Sequence, residues 1–492
     1  MRKLASVFLA LSTIPLTIWS CGGDSVTGAP ADAAVPDASD ARADSPISPP
    51  VDASTRHCTL DNASDPVALC IQKVILKNER QAAFVKTLGV VASWDSKTFI
   101  PDTNGGMPLH DVHDDVAFAA SICSYDVAAR LYGDTEINAD LDNVLVTMVT
   151  NIETQLATPP AEYGGDVYLQ LRKISGNLRY INENDHAKKI DAIAEPYGRA
   201  IYNTYSQPVG AGDSVLGTPA GGGQVAYTTA DVATGAVALL DMAVRHAIDD
   251  AANASLWVDG AKRALDHLSA RARDPMTHLY YRSLVTSGDP DHDALAGAMP
   301  NDALLSDVQA TVMLALMRAN ELVLANPTVL GAFTGYGLAS NADQLFHAMN
   351  TAGLWDSADR GYLEGYVPST SAFLTNKPTR ANALMFGAIH RKFLDAPPFD
   401  AGSATIDVVQ LKALRSLFIQ QQPDNSSLLS VVFDQTSYFR ASSRDYRLAQ
   451  LPPSDGGTSD AGTEPRAASY TAAATAAALE GLSEQLYSGA PH

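Results

Sequence analysis

Residues 110–115 read His-Asp-Val-His-Asp-Asp and stand directly before an apolar run, AFAASICSYDVAARL (117–131). Three kinds of chemistry fit residues of these types. His110, His113 and Asp114 carry imidazole and carboxylate groups that suit a divalent ion such as zinc. The spacing is not that of a His-Glu-x-x-His helix and no third histidine is near, so no metal is assigned. Asp114 and Asp115 could instead supply the paired carboxyl groups of an acid/base reaction, in which one carboxyl has a raised pKa. The third reading is structural. Asp111, three residues before Asp114, is placed to accept from the free N–H groups of a helix start, where the helix dipole favours further carboxylates.

Those six residues need an element to hold them. Apolar spacing of three and four predicts about twelve helices. They begin near Pro66, Asp114, Ala139, Val167, Asp185, Thr229, Ala252, Asp302, Thr328, Pro378, Ile406 and Ala467. Strand signals are short: SWDSKTFIPD (93–102), HLYYRSLV (278–285), RGYLEGYVP (360–368) and SLLSVVFDQTSYFRA (427–441). Each falls between an odd-numbered helix and the next even one. The unit of helix, polar turn, short aromatic strand, loop and helix recurs about six times with a period near 70 residues, so each unit must bury its face against its neighbours. The Gly-rich stretch GAGDSVLGTPAGGG (210–223) has no strand before it and reads as a flexible loop, not a phosphate cradle.

The pattern resembles the six-hairpin (α/α)6 toroid proteins: the α-1,6-mannanases, the unsaturated glucuronyl hydrolases and the N-acylglucosamine 2-epimerases. LWDSADRGYLEGYV followed by NKPTRANALMFGAIHRKFLD is similar to the epimerase-type unit, and Asp114-Asp115 with Phe118 to the mannanase Asp-Asp pair. The resemblance implies a mostly α fold, an (α/α)6 toroid of six helical hairpins with short β-strands at the hairpin junctions. It also implies a carbohydrate-binding cleft at the rim where the inner helices start. There Asp114, Asp115 and Asp307 are the expected catalytic carboxylates. His110, Lys377, Arg380 and Asn382 are expected to touch substrate, Arg380 and its neighbours through a carboxylate or hydroxyl. Trp94, Tyr281, Trp355, Tyr362, Tyr366 and Tyr438 would either stack on sugar rings or pack the strands against helix ends. No cofactor is implied. A glycan-binding or protein-binding role without catalysis on the same scaffold is the alternative.

Composition sets the outer limits. The net charge of −21 argues against nucleic acid or anionic lipid as partners, and 46% hydrophobic residues suffice for a large core. Arg2 and Lys3 precede an apolar run ending at Trp19, then Ser20 and Cys21, which reads as an export signal. Ile18-Trp19-Ser20-Cys21 resembles the lipobox of bacterial lipoproteins, implying a lipid on Cys21 and, with Gly22 following, the outer membrane. No other stretch approaches a membrane span. Residues 1–20 are thus expected to be a signal peptide, 21–56 a disordered Ala/Asp/Pro/Ser tether, and 57–492 one toroid domain, monomeric. Cys58 and Cys70 are expected to form a disulfide, and Cys123, among apolar residues, to be a buried thiol.

Overall fold

The apolar spacing produces helices whose packing alternates. In the computed structural model the described residues are 111–131, 135–156, 163–209, 213–287, 289, 292–296, 302–358 and 360–395, with short strands before 111 and after 429, and helical residues 410, 414, 417 and 474–481. All lie in the unit Val51–His492. The helices are α1 (Val112–Leu131), α2 (Thr135–Gln155), α3 (Gly165–Tyr180), α4 (Asn184–Asn203), α5 (Thr229–Arg245), α6 (Ala251–Arg271), α7 (Ser306–Ala325), α8 (Leu338–Thr351) and α9 (Thr379–Asp395). Hairpins α1–α2, α3–α4, α5–α6 and α7–α8 form, and α1, α3, α5 and α7 each pack on the next odd-numbered helix, ending at α9. The odd helices therefore make an inner ring, backed by the even ones.

An inner helix has neighbours on nearly every side, so it is apolar around most of its circumference. Helix α7 shows the consequence: it has the length and hydropathy of a membrane span, contrary to the sequence reading, yet most of it is buried. Its apolar character belongs to the core. Cys123 of α1 is buried there too, as expected.

The short strands are fixed by a device that repeats. In one hairpin, Arg273 bridges Tyr280; in the next, Trp355 bridges Tyr362. Both turns close with the same backbone bond, from the Asp274 N–H to the Leu279 carbonyl (2.8 Å) and from the Asp356 N–H to the Gly361 carbonyl (2.9 Å). Both place a residue in the left-handed region at the same offset, His278 at φ 61° and Arg360 at φ 59°. A buried side-chain amide then grips each strand. Gln309 accepts from the Tyr280 N–H (2.9 Å) and donates to the Tyr280 carbonyl (2.7 Å). Asn382 accepts from the Tyr362 N–H (2.7 Å) and donates to the Tyr362 carbonyl (3.1 Å).

From the other side, the first residue of the preceding inner helix holds the same strand. Thr229 donates its hydroxyl to the Tyr281 carbonyl (2.6 Å) and its N–H to the Arg282 carbonyl (3.0 Å). Ser306 does likewise, to Leu363 (2.5 Å) and Glu364 (2.9 Å). Each strand is thus pinned between the starts of two successive inner helices.

Several expectations need correction. Within 210–223, the described residues 213–223 are not a flexible loop. Strands Ser214–Leu216 and Thr218–Gly221 lie within it, and the latter pairs with Gln224–Thr228 across a turn. Gly221, Gly222 and Gly223 all have positive φ there, which suits glycine and makes a tight hairpin. This hairpin continues through Ser283–Val285 to Ala294–Leu295 as one antiparallel sheet. His267 helps to anchor it, bonding Asp213 (3.0 Å) on one side and Asp293 (2.8 Å) on the other. Burial works against charging this imidazole, but the two carboxylates more than offset it and hold its pKa above the ordinary value.

The helix expected near Asp302 starts at Ser306, because Leu304–Leu305 pairs with Gly365–Val367 and stays extended. The one expected near Thr328 starts at Leu338, after Gly335 and Gly337, both at φ 77°. The helix expected at Pro66, the lipobox at Cys21 and the Cys58–Cys70 pairing lie outside the described residues.

The clamp predicts a specific weakness. Asn382→Ala leaves the buried N–H and carbonyl of Tyr362 without their partner and should destabilise the fold by about 2–5 kcal/mol. Urea unfolding of the purified protein checks this, and a change below about 0.5 kcal/mol would remove the clamp from the account.

Candidate active site

Where the inner helices converge, small side chains leave a cavity of about 70 Å³ at the base of a cleft whose empty space, open solvent included, is about 680 Å³. Ala117, Ala315, Ala476, Ala477, Thr234 and Thr311 contribute to its wall, and Leu169, Val237, Leu314 and Leu384 add apolar surface. Asp166, Gln170, Arg318, Arg380 and Glu480 are its functional side chains.

The cavity opens toward helix starts that carry charge. Asp114 and Asp115, Asp166, Asp231 and Asp307 stand in the first turns of α1, α3, α5 and α7. Arg380 is the second residue of α9. A carboxylate in the first turn is favoured by the helix dipole, which partly explains the pattern.

Two glycines then bring Asp166 and Asp231 together. Gly165, the first residue of α3, lies against the backbone of Gly235 in α5. A Cβ on Gly165 would meet the Gly235 nitrogen at 2.9 Å, closer than real Cβ contacts allow. Only the absence of a side chain lets the two helix starts approach this far. Asp166 follows Gly165, and Asp231 stands one turn before Gly235.

Their environment is unusual for carboxylates. Burial raises the pKa of Asp166, with Glu480 adding to the effect and Arg380, Arg318 and Lys173 opposing it. Gln170 donates to its carboxylate at 3.1 Å. Burial also raises Asp231, the Thr228 hydroxyl opposes this, and the charge of Asp166 raises it further. Beneath them Glu480 is held well below the usual carboxylate range, because Lys173 and Arg318 outweigh its burial. Lys173 lies 3.4 Å and Arg318 2.5 Å from the same Glu480 oxygen. One pair of carboxyls is thus pushed toward the protonated form, while a third is locked as an anion. A second cavity of about 560 Å³ adjoins Asp231, between the sheet and the start of α5, with Tyr163 and Tyr227 in its wall. Tyr163 donates its hydroxyl to the Asp231 carbonyl at 2.6 Å.

The residues expected from the sequence divide sharply. Asp111 does cap α1: its carboxylate accepts from the His113 N–H at 2.9 Å and contacts the His113 ring at 3.0 Å. Asp114 is half-buried and sits one turn before the cavity residue Ala117, on the same helical stripe. Asp115 is fully buried, so the two adjacent acids do not share the cavity. Asp307 is half-buried, with its carboxylate on the Val308 N–H at 2.9 Å, one turn before the wall residue Thr311.

Arg380 lines the cavity and is exposed to it. Lys377 does not; it is buried and paired with Asp356 at 2.9 Å. Asn382 and Tyr362 are fully buried members of the strand clamp, and Trp355 packs edge-on against Tyr362 with ring centroids 5.1 Å apart. Tyr281 donates to Asp274 at 2.8 Å, and Tyr366 packs on Phe373. Lys377 and Asn382 were expected to touch substrate, and the structure uses them in ion pairing and strand gripping instead; for Trp355, Tyr362, Tyr281 and Tyr366 the contacts are those of the second alternative, packing of strands against helix ends. Trp94 pairs with Tyr470 and Tyr438 with Val431 by backbone register, and His110 lies outside the described residues. Among the described residues no group of three or more His, Cys, Asp or Glu side chains is arranged to hold a metal ion.

Asp166, Asp231, Arg318 and Glu480 were missed from the sequence. The first two had a readable signal: GGDVYLQL and TTADVATG put an acid at predicted helix starts, just as NDALLSDVQA does for Asp307. The other two lie deep in their helices and carry no such mark.

No protein-family model and no curated protein matches this chain. Solved structures do. An unsaturated glucuronyl hydrolase specific for heparin is 11% identical with a TM-score of 0.56, covering 85% of this chain and 96% of that one. A D-mannose isomerase is 11% identical with a TM-score of 0.53, covering 85% and 97%. An inactive variant of the α-1,6-mannanase GH76A of Salegentibacter sp. HEL1_6, in complex with α-1,6-mannotriose, is 8% identical with a TM-score of 0.53, covering 86% and 99%. At these identities the likeness is one of fold. Together with the alternating helix packing, it establishes that the chain is mostly helical and has the six-hairpin (α/α)6 toroid architecture.

Proposed function

We propose that this protein is a carbohydrate-active enzyme working in the central cavity of the toroid, with Asp166 and Asp231 as its acid/base pair. The observation that carries the reading is a pair of half-buried carboxyls with raised pKa values at neighbouring inner-helix starts, Asp166 itself standing in the wall of the cavity. Asp166 is the better placed acid, since it lines the cavity itself. Protonated, it would give a proton to a leaving or ring oxygen, and the ionised partner would then activate water. Support from similar folds is general: the neighbours are named for acting on glycans or on a free sugar.

A second reading keeps Asp114 in the mechanism. The mannanase variant was made inactive by changing two adjacent aspartates to asparagine. Asp114-Asp115 is an adjacent pair at a helix start, and Asp114 sits one turn before the wall residue Ala117. Hydrolysis of a polysaccharide panel separates the two readings. Asp166→Asn and Asp231→Asn should each lower the rate by about 10²–10⁴-fold, with Asp114→Asn the smaller effect. For wild type the acid-dependent rate should hold at low pH and fall as pH rises through the elevated pKa of the acid. Loss of activity in Asp114→Asn alone would favour the second reading. A panel hydrolysed equally by all three variants would sink both.

The lipid-anchored placement belongs to the same proposal and rests on the lipobox-like Ile18-Trp19-Ser20-Cys21. In the expressing bacterium, wild type should partition into the detergent phase and Cys21→Ser into the aqueous phase. Equal partitioning would contradict the anchor.

A further inference from the structure

His267 of α6 is set between two carboxylates, and that geometry fixes what its ring must carry. Its Nδ1 lies 3.0 Å from Asp213 and its Nε2 2.8 Å from Asp293. A carboxylate accepts hydrogen bonds, and a neutral imidazole has a single N–H to give, so only the imidazolium makes both contacts. Asp293 is surrounded by donors alone. Its oxygens also take the Tyr227 hydroxyl (2.7 Å), the Ser287 N–H (3.2 Å) and the Arg271 guanidinium (3.3 Å).

The two arms differ in what could replace the ring. The Asp293 side chain is fully buried, whereas that of Asp213 is 44% exposed. When the ring loses a proton, one N–H remains. The carboxylate that water cannot reach keeps it, and the exposed one turns to solvent. The charge count agrees: His267 and Arg271 balance Asp213 and Asp293, and a neutral ring leaves one negative charge in excess.

The elements packed on α6 supply no substitute cation. Strand Ser214–Leu216 and the turn Gly331–Phe333 carry no charge. On α5, Asp231 is engaged by Thr228, Asp241 by Tyr168 and Arg172, and Arg245 stands beside Asp191. On α6 itself, Arg263 lies one turn before His267, and Asp266 is taken by Lys262 and Tyr336.

Asp213 leads directly into a cavity wall. It precedes strand Ser214–Leu216, which pairs with Ser206–Pro208, and Leu216, Gly217 and Thr218 then border the second cavity together with Asp231. Tyr227 joins the two regions. Its ring packs edge-on against His267, with centroids 5.6 Å apart, and it lines the same cavity.

We propose that His267 is a proton-operated latch on this wall: the imidazolium fastens Asp213 and the segment 213–218, and loss of its proton frees that segment while Asp293 keeps the rest of the sheet in place. The sign follows from the ring's surroundings. The folded imidazole holds its proton more tightly than the ordinary value of 6.5 allows, so the latch is fully closed below that value and opens as pH rises through the folded pKa. The latch does not depend on what the cavity binds.

Hydrogen–deuterium exchange of the full chain tests it, corrected for the intrinsic pH dependence of amide exchange. The amides of 214–217 are the reporters and those of α3 the control. In wild type, protection of 214–217 should fall about tenfold between about pH 6 and about pH 9, with α3 unchanged. His267→Gln, whose amide does not titrate, should give the same protection at both values. Asp213→Asn, whose amide can bond a neutral ring, should lose most of the pH dependence, and it decides alone if His267→Gln does not fold. A flat wild-type profile, an equal fall in α3, or the full pH dependence retained in either variant would overturn the latch.

Discussion

Everything at the cavity depends on how each short strand is pinned between two inner-helix starts. The strand through Tyr280–Arg282 is held by Thr229 of α5 and Gln309 of α7; the strand through Tyr362–Glu364 by Ser306 of α7 and Asn382 of α9. Each bond is worth only about 1 kcal/mol net, but the groups are buried, and leaving one unpaired costs about 1–3 kcal/mol. The helix starts therefore cannot slide independently. Fixing one start fixes the next, and the ring of first-turn charges inherits that rigidity. Where no such clamp is described, between α3 and α5, bare glycine backbones in contact do the same positioning.

That arrangement explains why the carboxyls behave unlike surface acids. A first-turn aspartate is normally stabilised as an anion by its helix. At Asp166 burial wins over the nearby cations, and at Asp231 burial and the charge of Asp166 win over the Thr228 hydroxyl, so both pKa values rise. At Glu480 the balance goes the other way, because two cations sit directly on one of its oxygens. The same chain thus raises the pKa of two carboxyls and lowers that of a third, and acid/base chemistry needs acids of unlike strength.

The architecture was legible because the inner and outer helices keep period 3.6 and the clamp leaves a repeated trace, an Asp-containing turn followed by Tyr, in ARDPMTHLYY and LWDSADRGYL. The Gly-rich hairpin was not, since glycine turns and a short three-residue strand look like loop composition. At the site, Arg380 was found because it opens a predicted helix. Lys377 and Asn382, three and two residues away, were assigned the same role, but Lys377, just before the helix, pairs with Asp356, and helical geometry turns Asn382 onto the strand. Sequence proximity to a helix start does not say which stripe faces the axis. The aromatic residues were left between two roles for a related reason: a Tyr that packs its own strand and one that lines a cleft have the same local sequence. Asp166 and Asp231 needed knowledge that Gly165 meets Gly235, a contact about 70 residues apart along the chain.

The central claim is that two inner-helix aspartates are held in surroundings that raise the pKa of both, with the charge of Asp166 raising Asp231. Carboxyl carbon NMR titration of the protein labelled with ¹³C-aspartate, with Asp166→Asn and Asp231→Asn for assignment, measures this directly. The account predicts that Asp166 and Asp231 both titrate above the ordinary aspartate value of 3.8, and that Asp166→Asn lowers the pKa of Asp231. Two carboxyls titrating at or below that value, with no response of either to loss of the other, would contradict it.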